Sequence, residues 1–148
     1  HGLSRYGFKG TRHVEEAFEI LEQKYPGQLS LIIEGKLPIK EYVEVMMAAN
    51  IVIDQTNSYS AGMNALIAMA QGKVVLSGAE PESLWSLGVS STPVINILPS
   101  AQDIVRQVEK FIVEPRLIKD IGLRSREFVV KNHNHIAIAK KYLEIWNS

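Results

Sequence analysis

Apolar residues recur in two different rhythms along this chain, and the rhythms alternate. From Thr11 to Lys24, Val14, Ala17, Phe18 and Leu21 fall at helical spacing, and Pro26-Gly27 ends the run. LSLII at 29–33 is then a short continuous apolar stretch, which predicts a buried strand followed by a Glu34-Gly35-Lys36 loop. Pro38 opens a second helix through Ala49, with Tyr42, Val45 and Met46 on one side. Asn50 to Asp54 reads as the next strand, and Gln55 to Ala61 as a polar loop. Gly62 to Gln71 reads as a helix with almost no charge, and Lys73 to Leu76 as another strand after Gly72. Glu80-Pro81-Glu82 starts a short helix to Leu87, and Val94 to Leu98 is a further strand. Three helices follow. Ser100 caps one running to Val113, Pro115 starts one running to Asn132, and Asn134 caps one ending at Trp146. Thr11 is read as the cap of the first helix.

Helices alternating with apolar strands predict one α/β domain over 1–148, a Rossmann-like, doubly wound parallel sheet with helices on both faces. Crossovers in such sheets are right-handed, and ligands bind at the carboxyl ends of the strands. The loops of interest are therefore 2–10, 34–37, 54–62 and 78–82. The helix after Gly62 carries the most information. A helix without a polar face is one the protein covers on most sides. Its first amides and its positive dipole end then point into the strand-end crevice, where they suit an anion.

Composition narrows the classes. The 148 residues are large enough for a core, and 16 basic residues balance 16 acidic ones. No basic stripe suits nucleic acid. With no cysteine there is no disulfide framework and no thiolate metal site, which fits a cytoplasmic setting. No apolar run reaches the roughly 18 residues that span a bilayer, and no signal peptide is visible. The chain opens on His1-Gly2, which reads as a strand end, so a piece of a longer protein is expected. The four histidines lack metal-ligand spacing with acidic partners, and no metal site is expected. There is no Walker loop and no Gly-x-Gly-x-x-Gly, which removes the simplest nucleotide-hydrolysis and hydride-transfer readings. Trp85 and Trp146 are expected in the core or at a domain interface, and Phe111, Phe128 and Tyr142 on helical core faces.

Read together, the loops are similar to those of a known family. Gly2, Arg5 and Lys9-Gly10 match a Gly-Arg element followed by Lys-Gly, and LSLIIEG matches a strand and Gly loop. AANIVIDQTNSYSAGMNALIAMAQGKVVLSG follows the family's strand, loop and Glu-x-x-Gly helix run. IGLRSREFVVKNHNHIAIAKKYLEIW has the closing Gly-x-x-Ser-Arg helix and a final aromatic. The chain resembles the C-terminal, nucleotide-sugar-binding half of a GT-B glycosyltransferase of the large retaining type, group 1.

That resemblance implies a hexosyltransferase-type enzyme of glycan biosynthesis. Its partner ligand is a nucleoside diphosphate sugar, and it requires no cofactor or divalent metal. The N-terminal acceptor domain lies elsewhere in the parent chain, so this domain alone is expected to be inactive. Any peripheral membrane association would come through that missing part. No catalytic residue is assigned. The implied binding residues are Arg5 and Lys9 as a diphosphate clamp, and Gly62, Met63 and Asn64 as the helix-start amides. Glu34 and Lys36 lie near the base, and Tyr59 and Gln55 near the sugar. Each also has a plainer reading: solvated cations, a tight turn, a surface loop, or a residue packing its own loop.

The sequence departs from the family at its two signature glutamates. Aligned on Gly62 and Gly72, their positions hold Tyr59 and Ile67. Neither is a carboxylate, and each lost hydroxyl contact costs about 1–3 kcal/mol. Ile67 is expected to be buried against the sheet. Asp54-Gln55 precedes and overlaps the family's Pro-Ser position and offers polar groups of its own. A non-catalytic GT-B-like binding or scaffold domain is the alternative. A flavodoxin-like or receiver-type module lacks support, because Asp54 has no acidic pair near the first strand.

Overall fold

The computed structural model describes residues 1–2 and 6–147, apart from the side chain of Tyr6. Three parallel strands, β1 (Ile51–Ile53), β2 (Val74–Ser77) and β3 (Ile95–Asn96), lie in that spatial order. The register pairs Ile51 with Val74, Ile53 with Leu76, and Leu76 with Ile95. Eight helices surround them among the described residues: α1 (Tyr6–Lys9), α2 (Thr11–Lys24), α3 (Ile39–Ala48), α4 (Met63–Ala70), α5 (Pro81–Leu87), α6 (Ala101–Val113), α7 (Arg116–Asn132) and α8 (His135–Trp146).

Strand alternation divides the interior into two cores, one on each sheet face. Ile53, Val74 and Leu76 turn toward α2 and α6, where Val14, Ala17, Leu21, Ile104, Val105, Val108 and Phe111 are buried. Val52 and Val75 turn the other way, against Ala65, Ala68 and Met69 of α4 and Met46 of α3. Helix α7 serves both cores, with Ile121 in the first and Phe128 and Val129 against the second. This is the expected α/β arrangement with helices on both faces. The α6 boundary follows its cap: the Ser100 hydroxyl accepts from the Asp103 amide. Asn134 likewise accepts from the amides of Ile136 and Ala137 to start α8.

Four expectations are corrected. Thr11 does not cap α2. It is the first helical residue and fully buried, with its hydroxyl against His1 Nε2 at 2.9 Å, while left-handed Gly10 takes the cap position. Residues 29–33 form no ladder. Leu29, Leu31 and Ile33 pack half-buried against the α2 side, and Ile32 faces out. Among the described residues the segment pairs through one parallel bridge, Gly2 to Glu34, with the His1 ammonium donating to the Ile32 carbonyl at 2.9 Å and the Glu34 amide to the His1 carbonyl at 3.1 Å. A run can be apolar throughout and still bury one face only when nothing covers the other. The expected strand at 94–98 shortens to two residues, since Val94 and Ile97 are buried but only Ile95 and Asn96 pair. Finally, Tyr142 is not on a core face, at 57% exposed, and of the two places expected for Trp85 and Trp146 the core is excluded, at 85% and 75% exposed.

Candidate functional site

The carboxyl ends of β1 and β2 feed the two loops that build the crevice, 54–62 and 78–80. Their mutual approach depends on a missing side chain. A Cβ on Gly78 would lie 1.7 Å from the Ser58 carbonyl oxygen. The Gly78 amide donates to the Gln55 carbonyl at 3.1 Å, and the Glu80 amide to the Tyr59 carbonyl at 2.9 Å. Loop 54–62 is also held from within, because Gln55 Nε2 donates to the Ser60 carbonyl at 2.8 Å. Asn96 ties the far end, accepting from the Ala79 amide at 2.7 Å and donating to Glu80 at 2.8 Å.

Helix α1 approaches from the other side. The Thr56 amide donates to the Lys9 carbonyl at 3.0 Å, and Asn57 donates to the Gly7 carbonyl at 3.2 Å. Gly10, at φ 70°, lets the chain turn here, since a Cβ would sit 2.0 Å from Thr56 Oγ1. That turn delivers Lys9 into the interior. Its residue is 4% exposed, and Nζ donates to Asp54 Oδ1 at 2.8 Å. The other carboxylate oxygen, Oδ2, accepts from the Gly62 amide at 2.9 Å, at the mouth of α4. One buried carboxylate thus joins a lysine to the start of the buried helix. The arrangement satisfies a charge pair that would be costly if either member stood alone.

The expected site residues fall into three groups. Lys9 and Gly62 meet on Asp54, with Gln55 buried beside them. Tyr59 and Met63 stand out from the surface at 70% and 71% exposed, with Asn64 half-buried between them and the core. Glu34 and Lys36 lie apart, exposed on their own loop, where Lys36 takes a left-handed backbone at φ 60°. Arg5 lies outside the described residues. Ile67 is not buried against the sheet. It is 41% exposed, because α4 buries only Ala65, Ala68 and Met69, while Met63 and Ile67, four residues apart on the helix, share its outer face. The outer face of this apolar helix is open.

The residue that sequence reasoning weighed too lightly is Asp54. Its signal was present: a carboxylate at a strand end, eight residues before the glycine that opens the next helix. Beside the crevice, a cavity of about 180 Å³ opens between α4, α5 and α7, lined by Leu66, Met69, Leu84, Val94, Phe128 and His133 among others. Burial lowers the pKa of His133 below the usual histidine value, and its Nε2 is enclosed without a hydrogen-bond partner. Among the described residues no group of three or more His, Asp or Glu could hold a metal ion, and no helix is long and apolar enough to cross a membrane.

No family model and no curated protein sequence matches the chain. Solved structures do. Sucrose-phosphate synthase from Thermosynechococcus elongatus is similar over 90% of this chain and 34% of its own, with a TM-score of 0.64 and 21% identity. TarM is similar over 100% of this chain and 34% of its own, with a TM-score of 0.74 and 15% identity. Anabaena HepE, solved in complex with UDP and glucose, is similar over 99% of this chain and 47% of its own, with a TM-score of 0.73 and 15% identity. The chain therefore spans a third to a half of the length of these structures. All three are GT-B glycosyltransferases. The chain has their Rossmann-like fold, as the loops of the sequence implied.

Proposed function

We propose that this domain is the donor half of a GT-B glycosyltransferase and holds a nucleoside diphosphate sugar for transfer to an acceptor. The observation that carries the reading is the convergence on Asp54. A lysine ammonium and a helix-start amide focus on one negative charge at the strand ends, 2.8 and 2.9 Å away. As the bond from sugar to diphosphate breaks, negative charge builds on the leaving group. Preorganised cations and amides are the groups that stabilise it, with no need for a metal. Lys9, together with Arg5, and the amides of Gly62, Met63 and Asn64 take the diphosphate in this reading. Tyr59 offers a ring face and a hydroxyl to the sugar, Gln55 fixes the loop beneath it, and Glu34 and Lys36 border the base.

The acceptor site belongs to an N-terminal domain of the parent chain in this proposal, and the setting is cytoplasmic. Helix α8 supports such a partner. None of its residues is buried, and Ile136, Leu143, Ile145 and Trp146 are each more than half exposed. Apolar surface on that scale calls for a covering surface. On its own the chain binds donor without turnover.

The test is a titration of the chain with a panel of nucleoside diphosphates, followed by amide NMR shifts and calorimetry. Saturable shifts at Gly62 to Asn64 and along 54–59 are expected at millimolar ligand or below. No shift with any diphosphate overturns the reading. A non-catalytic relative is the second reading, favoured by one feature: Tyr59 on the loop before α4 and Ile67 on the outer face of α4, both exposed, stand where the family resemblance calls for glutamates. It predicts an intact fold and no donor affinity.

A further inference from the structure

We propose that Asp54 is an internal competitor for the anion site, so that it sets which anions the crevice admits and how tightly. The inference rests on the donor-site reading and concerns a residue outside that family pattern. Both oxygens of the carboxylate are committed: Oδ1 to Lys9 Nζ at 2.8 Å and Oδ2 to the Gly62 amide at 2.9 Å. Those two donors are the ones a phosphate would use. Asp54 and Lys9 are 2% and 4% exposed, so neither is screened or satisfied by bulk water. The close fit is enabled by Gly62, where a Cβ would come within 2.8 Å of Asp54 Oδ2. An entering anion therefore meets a filled site. It must take over at least one of the two donors, and the displaced carboxylate must find solvent or another partner.

The chemistry of that exchange favours some ligands over others. A carboxylate offers Lys9 no more than Asp54 already does, and sulfate or a monophosphate, with at most about two charges on one centre, gains little over it, while each arrives from solution against an intramolecular rival. A diphosphate brings more charge and several acceptor oxygens, so it can engage Lys9 and the α4 amides together. Asp54 thus selects for diphosphates over monophosphates, sulfate and carboxylates, at the expense of affinity for all of them. Release is aided by the same group, since the carboxylate closes back on Lys9 as the diphosphate leaves.

The experiment measures inorganic pyrophosphate and inorganic phosphate affinities of the whole chain as wild type, Asp54→Asn and Asp54→Ser, by calorimetry at constant ionic strength. Pyrophosphate affinity is expected to rise tenfold or more in both variants. Phosphate affinity should rise by a larger factor, narrowing the preference between the two. Unchanged or weakened pyrophosphate binding in the variants, with measurable wild-type binding, overturns the role of Asp54 and leaves the donor reading standing. Absence of binding in all three overturns both. Removing the carboxylate leaves Lys9 buried and unpaired, so the variants are also followed by circular dichroism. Variants unfolded in chloride are expected to refold on adding pyrophosphate and not on adding chloride of equal ionic strength. Failure to refold at saturating pyrophosphate overturns the proposal, because the anion would then not replace the carboxylate.

Discussion

Replacing Lys9 with methionine isolates the buried charge pair. Methionine retains most of the length and apolar surface of the lysine stem, so the change removes the ammonium with little loss of packing. It leaves Asp54, 2% exposed, with the Gly62 amide as its remaining donor. Removing one member of a buried pair costs about 3–5 kcal/mol, because the orphaned charge keeps its desolvation penalty. For a domain of this size each kcal/mol lowers the melting temperature by about 2–4 °C, so Lys9→Met should melt roughly 6–20 °C below wild type. Adding Asp54→Asn should recover most of that loss, since the amide oxygen can still accept from Gly62 and no charge is left alone. The coupling between the two sites should then reach about 2 kcal/mol or more. Urea and thermal unfolding are best read by far-ultraviolet circular dichroism, because Trp85 and Trp146 already face water and their fluorescence will change little. A Lys9→Met protein within about 1 kcal/mol of wild type, or a double variant that simply adds the two single losses, would refute the buried pair.

Gly78→Ala should destabilise by about 2–4 kcal/mol, since its Cβ would stand 1.7 Å from the Ser58 carbonyl and must push apart two loops joined by backbone hydrogen bonds; denaturant unfolding measures it, and a neutral variant would place the loops farther apart. Gly122→Ala should cost about 1–3 kcal/mol by forcing α7 away from the Gly72 carbonyl oxygen, which would lie 2.1 Å from the added methyl, and a melting curve checks it. His133 favours its neutral form in the fold, so protonation favours unfolding: stability should fall as pH drops below about 6.5, and His133→Leu should flatten that slope, while an NMR-titrated pKa at or above 6.5 would remove the effect. Tyr59→Ala should leave the melting temperature unchanged, because the ring is 70% exposed, yet weaken nucleoside diphosphate sugar binding, with Tyr59→Phe losing about 0.5–1.5 kcal/mol of it; equal donor affinity in all three would take Tyr59 out of the sugar site.

Local rules carried far along this chain. Ser100 and Asn134 cap the helices their positions implied, and the apolar residues of α2 and α6 at helical spacing are the ones that pack together. Thr11 shows where a local rule loses. Its hydroxyl had an alternative partner in His1, brought close by tertiary structure, and the cap position went to a left-handed glycine. The run at 29–33 and helix α4 failed in a common way. Apolar composition records that a surface is hydrophobic, and it does not say whether that surface meets this domain's core or lies open, as Ile32 and Ile67 do. The pairing of Lys9 with Asp54 was illegible for another reason. It joins residues 45 apart, and it depends on the turn at Gly10 and the absence of a side chain at Gly62. Lys9 reads as a clamp cation and Asp54 as a strand-end carboxylate, and nothing in their spacing joins the two.

A crystal structure of this chain with a nucleoside diphosphate bound tests the central claim most directly. Phosphate oxygens are expected within hydrogen-bond distance of Lys9 Nζ and of the amides at Gly62 to Asn64, with the Asp54 carboxylate turned off at least one of its present donors. A diphosphate seated elsewhere on the domain, with the Lys9–Asp54–Gly62 contacts unbroken, would contradict it.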